Sequence, residues 1–303
     1  MGPGPRRPDP HSVRGVRVGP AHRQPRGPRP AGVRRAADPA RAVPAARHRR
    51  TVLDCVAEGD REETVSAILR VQDLSQRFGG LHALKDVSFD IIDGEILGII
   101  GPNGAGKSTL FNAIVGVVPP ISGHVWFKDE DLVGVPPHEV MAKGVAKTSQ
   151  SVQVFDEMSV LDNVAVAALL KNDSIKSARE AARGELEFWG LQSFADVIAQ
   201  DLTLAQRSTL ELARAMMLHP AVLLVDEVMA GLNEVEVDQM LDRMMQANRE
   251  RGVTLIVIEH NMRALMRISH RILALDYGAV IALGEPAEVS KNQRVVDAYL
   301  GVE

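Results

Sequence analysis

The feature that most constrains this chain is a short apolar run that ends in a glycine-rich loop and leads into a helix. Residues 95–100 are almost wholly apolar. Gly101, Pro102, Asn103, Gly104, Ala105, Gly106, Lys107 and Ser108 then fit the pattern G-x-x-x-x-G-K-[ST]. Residues 108–117 follow with helical spacing, Leu110, Phe111, Ile114 and Val115 being apolar. The glycines let the backbone curl so that several N–H groups point inward at phosphate oxygens. The helix behind them presents its positive end to the same anion. In such a loop Lys107 reaches the outer phosphates and the Ser108 hydroxyl serves a Mg2+ ion. A strand, loop and helix in this order predict an α/β fold.

Two further apolar runs end in polar residues. Residues 222–225 lead into Asp226 and Glu227, and residues 254–258 lead into Glu259 and His260. Open parallel sheets bind ligands at the carboxyl ends of their strands, so acids at a strand end suit work on a phosphate. Asp226 is expected beside Mg2+. Glu227 is expected to polarise the attacking water, and His260 to contact the terminal phosphate. Strands are expected at 67–71, 87–91, 272–275 and 280–283, with helices near 234–251 and 294–300. Residues 157–218 read as several helices, broken near 172–174, Gly190 and Asp201. The alternation predicts a mainly parallel sheet covered by helices. There is no internal repeat.

Charge divides the chain unevenly. Residues 1–50 hold thirteen arginines, no lysine and two acids, Asp9 and Asp38, giving +11; the remainder carries −15, for a net −4. The acidic body gives no reason to expect nucleic acid as a partner. The first fifty residues also contain ten prolines and six glycines and lack aromatics. Such a segment buries too little apolar surface to offset its ordering entropy, so residues 1–65 are expected to form a disordered extension. A basic arm for anionic partners, a transit peptide, or residues upstream of the true start are the readings of it; the last is preferred, and since the next methionine after Met1, Met141, already lies inside the domain, it implies an alternative start codon near Val56 or Val65. Cys55 is the single cysteine, which points to a reducing compartment. No stretch reaches the roughly 18–20 apolar residues of a membrane span, so any spanning part belongs to other chains.

The ordered set of loop, glutamine, helical region, acidic strand and histidine resembles the ABC (ATP-binding cassette) ATPases over about residues 68–301. The resemblance implies a P-loop ABC domain at residues 66–303, with a mainly parallel core sheet, an antiparallel β subdomain and a helical subdomain at about 154–218. It implies ATP and Mg2+ as ligands. Gly101 to Ser108, with Thr109, match the Walker A motif. Asp226 matches the Walker B aspartate, Glu227 the catalytic glutamate, Gln150 the Q-loop glutamine at Mg2+ and the water, and His260 the switch histidine. Phe78 falls where the family stacks an aromatic on adenine, and residues 230–233 match the D-loop. Residues 77–84, 101–112, 229–233, 259–262 and 295–301 look like the branched-chain amino-acid importer group, and more like its LivG-type subunits. That implies a second ATPase subunit, transmembrane permease subunits and, indirectly, a substrate-binding protein as partners. It places the chain peripherally on the cytoplasmic face of the inner membrane.

The pattern departs from the family at residues 202–206. The usual Leu-Ser-Gly-Gly-Gln is replaced by Leu202, Thr203, Leu204, Ala205 and Gln206. This segment would bind the γ-phosphate held by the partner through Thr203, Gln206 and a helix N-terminus. Thr203 keeps a hydroxyl, but both glycines that permit close backbone approach are gone. Val228 and Ser149 also stand where proline and an aromatic are usual. The departures suggest that this subunit contributes one competent and one weaker site to a pair. The alternatives are an ABC ATPase of another system, lipopolysaccharide-export-like or outside transport, and an ATP-binding regulatory module with weak hydrolysis.

Overall fold

The computed structural model describes Gly2 and residues 67–300. The chain divides into two units, Met1–Asp60 and Arg61–Glu303, and every described strand and helix belongs to the second. The expected disordered extension at 1–65 lies outside the described residues, Gly2 apart.

A long hairpin opens the domain, β1 (Ala67–Phe78) and β2 (Leu81–Ile92). Next come β3 (Ile96–Ile100) and α1 (Lys107–Ile114), then β4 (Ser122–Phe127), β5 (Glu130–Asp131), α2 (Pro137–Lys143) and β6 (Val145–Lys147). The helical region contains α3 (Val160–Ala168), α4 (Ile175–Trp189) and α5 (Leu204–Met216). The remainder is β7 (Val222–Asp226), α6 (Glu234–Arg251), β8 (Thr254–Ile258), α7 (Met262–Ile268), β9 (Arg271–Asp276), β10 (Ala279–Gly284), α8 (Pro286–Val289) and α9 (Gln293–Leu300).

Two sheets result. The order β2-β1-β4-β5 is antiparallel throughout. In the order β10-β9-β3-β8-β7-β6 every pair is parallel except β10 with β9. All residues of β3, β7 and β8 are buried, which is why these runs show no alternation: both faces of a parallel sheet are covered. On β2 the buried Leu84, Val87, Phe89 and Ile91 alternate with exposed positions from Val87 onward, marking a half-covered antiparallel strand.

Helix limits follow local chemistry. The Ser174 side chain caps α4 by accepting from Ser177 N–H, and left-handed Gly190 ends it. α1 is shorter than its apolar spacing predicts. It stops at Ile114 because the N–H groups of Val117 and Val118 turn back to the Asn112 carbonyl. β4, β5, α2, β6, α7 and α8 have no counterpart in the sequence reading; β4 and β6 pair with strands far along the chain, and the others are short.

One buried cluster ties the helical region to α6. Glu185 on α4 accepts from Trp189 Nε1 at 2.7 Å and from Arg251 Nη1, which lies 2.7 and 2.9 Å from its two oxygens. The Arg251 guanidinium stacks over Phe188 at 3.7 Å, and Arg243 Nη1 donates to the Phe188 carbonyl. A nearly buried carboxylate–arginine pair of this kind is costly to break, because the survivor keeps its desolvation penalty. Glu185→Ala is therefore expected to lower the unfolding free energy by about 2–3 kcal/mol, after allowing for the partial exposure of Arg251. Urea titration of the full chain checks this.

Candidate functional site

The glycine-rich loop leaves β3 and enters α1 with two glycines wedged against neighbouring backbone. A Cβ on Gly101 (φ 152) would lie 2.2 Å from the Leu275 carbonyl oxygen, and one on Gly106 (φ 105) 2.4 Å from that of Ala83. No other residue fits either place. Pro102, Asn103 and Gly104 form the outer turn, closed by Ala105 N–H donating to the Pro102 carbonyl. No side chain caps α1, so the first-turn N–H groups, from Lys107, Ser108 and Thr109, are left for an anion. Lys107 is folded back on the loop, its Nζ donating to the carbonyls of Gly101 at 2.7 Å and Pro102 at 3.1 Å. Burial lowers its pKa, while the charges of Glu227 and Asp226 oppose that shift.

The parallel pairing of β7 with β8 sets the acidic end of the site. Asp226 is fully buried opposite Ile258, and its N–H donates to Thr148 Oγ1 at 2.9 Å. Its carboxylate oxygens accept no hydrogen bond, although Lys147 Nζ stands 3.1 Å from Oδ2. Glu227 turns away from the strand with φ 53, a left-handed conformation that is strained for a side-chain-bearing residue. Its N–H donates to the Ile258 carbonyl, and its Oε1 lies 2.9 Å from His260 Nε2. Strand ends 33 residues apart thus bring the expected glutamate and histidine into one hydrogen-bonded pair.

Other expected residues lie around this centre. Phe78 is exposed at the tip of the β1–β2 hairpin, the hairpin whose Ala83 carbonyl abuts Gly106. Gln150 is exposed in the loop after β6. Thr203 and Gln206 form a capping box at the start of α5, each side chain accepting the other's backbone N–H. They bond to each other, and Leu204 beside them approaches Gly231. Sequence reasoning missed three contacts. Tyr299 Oη on α9 accepts the Gly101 N–H at 2.9 Å. Lys147 faces Asp226. Buried Glu259 accepts the Met229 N–H at 2.9 Å, pinning the segment between β7 and α6. A charged residue closing an apolar run was the one available signal for Glu259.

Burial pushes the Glu259 carboxyl up to about 7, with the charges of Glu227 and Asp226 adding to the rise and the Met229 and His260 N–H groups resisting it. A raised folded-state pKa favours the fold below the unfolded value, near 4.5, and that contribution is lost as pH rises through 7. Glu259→Gln keeps the acceptor without the charge. It is expected to be more stable than the parent by up to about 3 kcal/mol at pH 8. The gap should narrow as pH falls and close below about 4.5, as read by denaturant midpoints across that range.

Comparison with known proteins adds to this geometry. The family profile described as ABC transporter matches residues 84–230. The profile described as Branched-chain amino acid ATP-binding cassette transporter matches residues 279–303. The chain is 38% identical over 249 residues to the high-affinity branched-chain amino acid transport ATP-binding protein BraF of Pseudomonas aeruginosa, covering 77% of this chain and 98% of the relative. It is 35% identical to LivG of Escherichia coli K12, with the same coverage. The lipopolysaccharide export ATP-binding protein LptB of that organism is 31% identical, over 78% of this chain and 98% of its own. Among solved structures, the ADP conformation of MJ1267, an ATP-binding cassette of an ABC transporter, superposes with a TM-score of 0.72 at 29% identity, covering 78% of this chain and all of the other.

Proposed function

The chain belongs to the ABC transporter ATPase family and is an ATP-hydrolysing transporter subunit, and from that premise we propose that it powers import of branched-chain or other hydrophobic amino acids, or of related small amides or carboxylates. The C-terminal match at residues 279–303, beside the likeness to BraF and LivG, carries the choice of cargo class. The cargo itself is held by other subunits.

Each residue of the site has a distinct task. Loop N–H groups of Asn103, Gly104 and Gly106, and those of Lys107, Ser108 and Thr109, hold the phosphates, with the Lys107 ammonium turning from the loop carbonyls to the anion. Phe78 offers a ring for adenine. The site fits Mg2+: Asp226 presents a buried carboxylate that accepts no hydrogen bond, the Ser108 hydroxyl lies in the first turn of α1, and Gln150 lies in the loop beyond β6. When bound, Mg2+ neutralises phosphate charge. Glu227 orients water for attack on the γ-phosphorus and takes its proton, while the bond to the bridging oxygen breaks to leave ADP and phosphate. His260 fixes Glu227 through the 2.9 Å contact and reaches toward the departing phosphate.

A second cassette completes each site. The N-terminus of α5 would face the partner's γ-phosphate, with Thr203 still able to donate its hydroxyl proton while its oxygen accepts from Gln206. Missing glycines at 204 and 205 make this half weaker, which supports a heterodimer with one strong and one weak site. Permease subunits would dock on the segment from Gln150 to Leu161, where Phe155 is exposed over Arg214 at 4.6 Å. Among the described residues no helix is long and apolar enough to cross a membrane, in keeping with a peripheral place on the cytoplasmic face.

The test is ATP turnover and uptake of labelled leucine by the assembled transporter in vesicles. Glu227→Gln is expected to cut kcat at least about 100-fold with ATP still bound. Thr203→Ala is expected to cost less than about tenfold. Equal losses would overturn the asymmetry, and ATP-dependent export of lipopolysaccharide without leucine uptake would favour the LptB-like reading.

A further inference from the structure

Asp226 sits in an unusual electrostatic position. It is fully buried, its oxygens accept no hydrogen bond, and an uncompensated carboxylate in such a place is strongly unfavourable. Lys107 does not compensate it by contact, because its ammonium is directed at the Gly101 and Pro102 carbonyls. Lys147, the last residue of β6, stands 3.1 Å away. Its position is built rather than incidental. β6 pairs parallel to β7 with Lys147 opposite Leu224. Nζ donates to Asn112 Oδ1 on α1 at 3.0 Å and lies 5.8 Å from the Phe111 ring centre. The side chain is 18% exposed.

The residues after Lys147 extend the connection. Thr148 Oγ1 accepts the Asp226 N–H, and Thr148 N–H donates to Leu224 O. Ser149 N–H donates to Glu211 Oε1 on α5 at 2.7 Å. The end of β6 is therefore strung between the Asp226 carboxylate, the helix behind the phosphate loop and the helical region, and it runs directly into Gln150.

We propose that Lys147 is the built-in counter-cation of Asp226, a positioning residue that holds the carboxylate without a divalent ion and competes with that ion when it binds. The proposal rests on reading Asp226 as a cation ligand. Two positive charges at one carboxylate repel, so each weakens the other's hold, and by linkage the weakening is mutual. A divalent ion at Asp226 thus loosens Lys147, and the change reaches the loop containing Gln150 through two intervening residues. The alternative is a lysine that merely packs between β6 and α1.

The experiment uses the full chain with Lys147→Gln, Lys147→Arg, Asp226→Asn and the Lys147→Gln/Asp226→Asn double variant. Thermal unfolding is followed in EDTA, and Mn2+ binding with ADP is followed by electron paramagnetic resonance. Lys147→Gln is expected to lower Tm in EDTA by about 4 °C or more. The same change should cost little in the Asp226→Asn background. Lys147→Gln should also bind Mn2+ about tenfold more tightly, and Lys147→Arg should keep the parent's values. A Tm loss of the same size in both backgrounds, or Mn2+ affinity unchanged in Lys147→Gln, would overturn the proposal and leave Lys147 a packing residue. Mn2+ binding that Asp226→Asn leaves intact would overturn the reading of Asp226 as a cation ligand, and the competition with it.

Discussion

Parallel pairing of β3, β8 and β7 is the constraint on which the rest depends. It brings the phosphate loop, the Glu259–His260 turn and the Asp226–Glu227 turn to one edge of a sheet. Each strand is buried along its whole length, so a slip of register would expose apolar surface along with moving a functional group. The hydrophobic core thereby fixes the spacing of the polar groups. At the same edge the loop is clamped by backbone from outside its own motif: Leu275 and Ala83 carbonyls crowd Gly101 and Gly106, and Tyr299 receives the Gly101 N–H.

That edge concentrates charge in a place where charge is costly. Asp226 and Glu259 are buried and Glu227 nearly so, with Lys107, Lys147 and His260 set among them. Such a cluster detracts from stability unless every member finds a partner. Backbone N–H groups serve Glu259 and His260 serves Glu227, while the Asp226 oxygens accept no hydrogen bond and face the Lys147 ammonium at 3.1 Å. Strain at Glu227 and the rise of the Glu259 pKa fall in this same region. Strained backbone and shifted titration gather where a site is organised for chemistry rather than for stability.

The altered segment at 202–206 has a local logic of its own. Thr203 and Gln206 satisfy each other's backbone N–H as a capping box, and Asn233 and Glu236 repeat that device at the start of α6. Without glycines the helix start is well formed but bulkier, since Leu204 and Ala205 add side chains where close approach by a phosphate is otherwise possible. Helix formation and phosphate binding draw on the same N–H groups, and in α5 the cap has taken a share of them.

Sequence alone determined what is local. The loop from Gly101 to Ser108 is legible because phosphate binding by backbone needs a contiguous run of fixed residue types. The buried strands are legible because parallel strands are continuously apolar. The ends of α4 are legible from Ser174 and Gly190, because capping is settled within a few residues. Acids and histidine at strand ends marked Asp226, Glu227 and His260 as candidates. Only tertiary structure decided that Glu227 and His260 meet, that Lys147 rather than Lys107 touches Asp226, that Tyr299 reaches a loop 198 residues earlier, and that Glu259 holds Met229. The short strand β6 escaped notice for the same reason. Its stability comes from β7, far along the chain, and a contact between distant segments leaves no mark in the local pattern of either one.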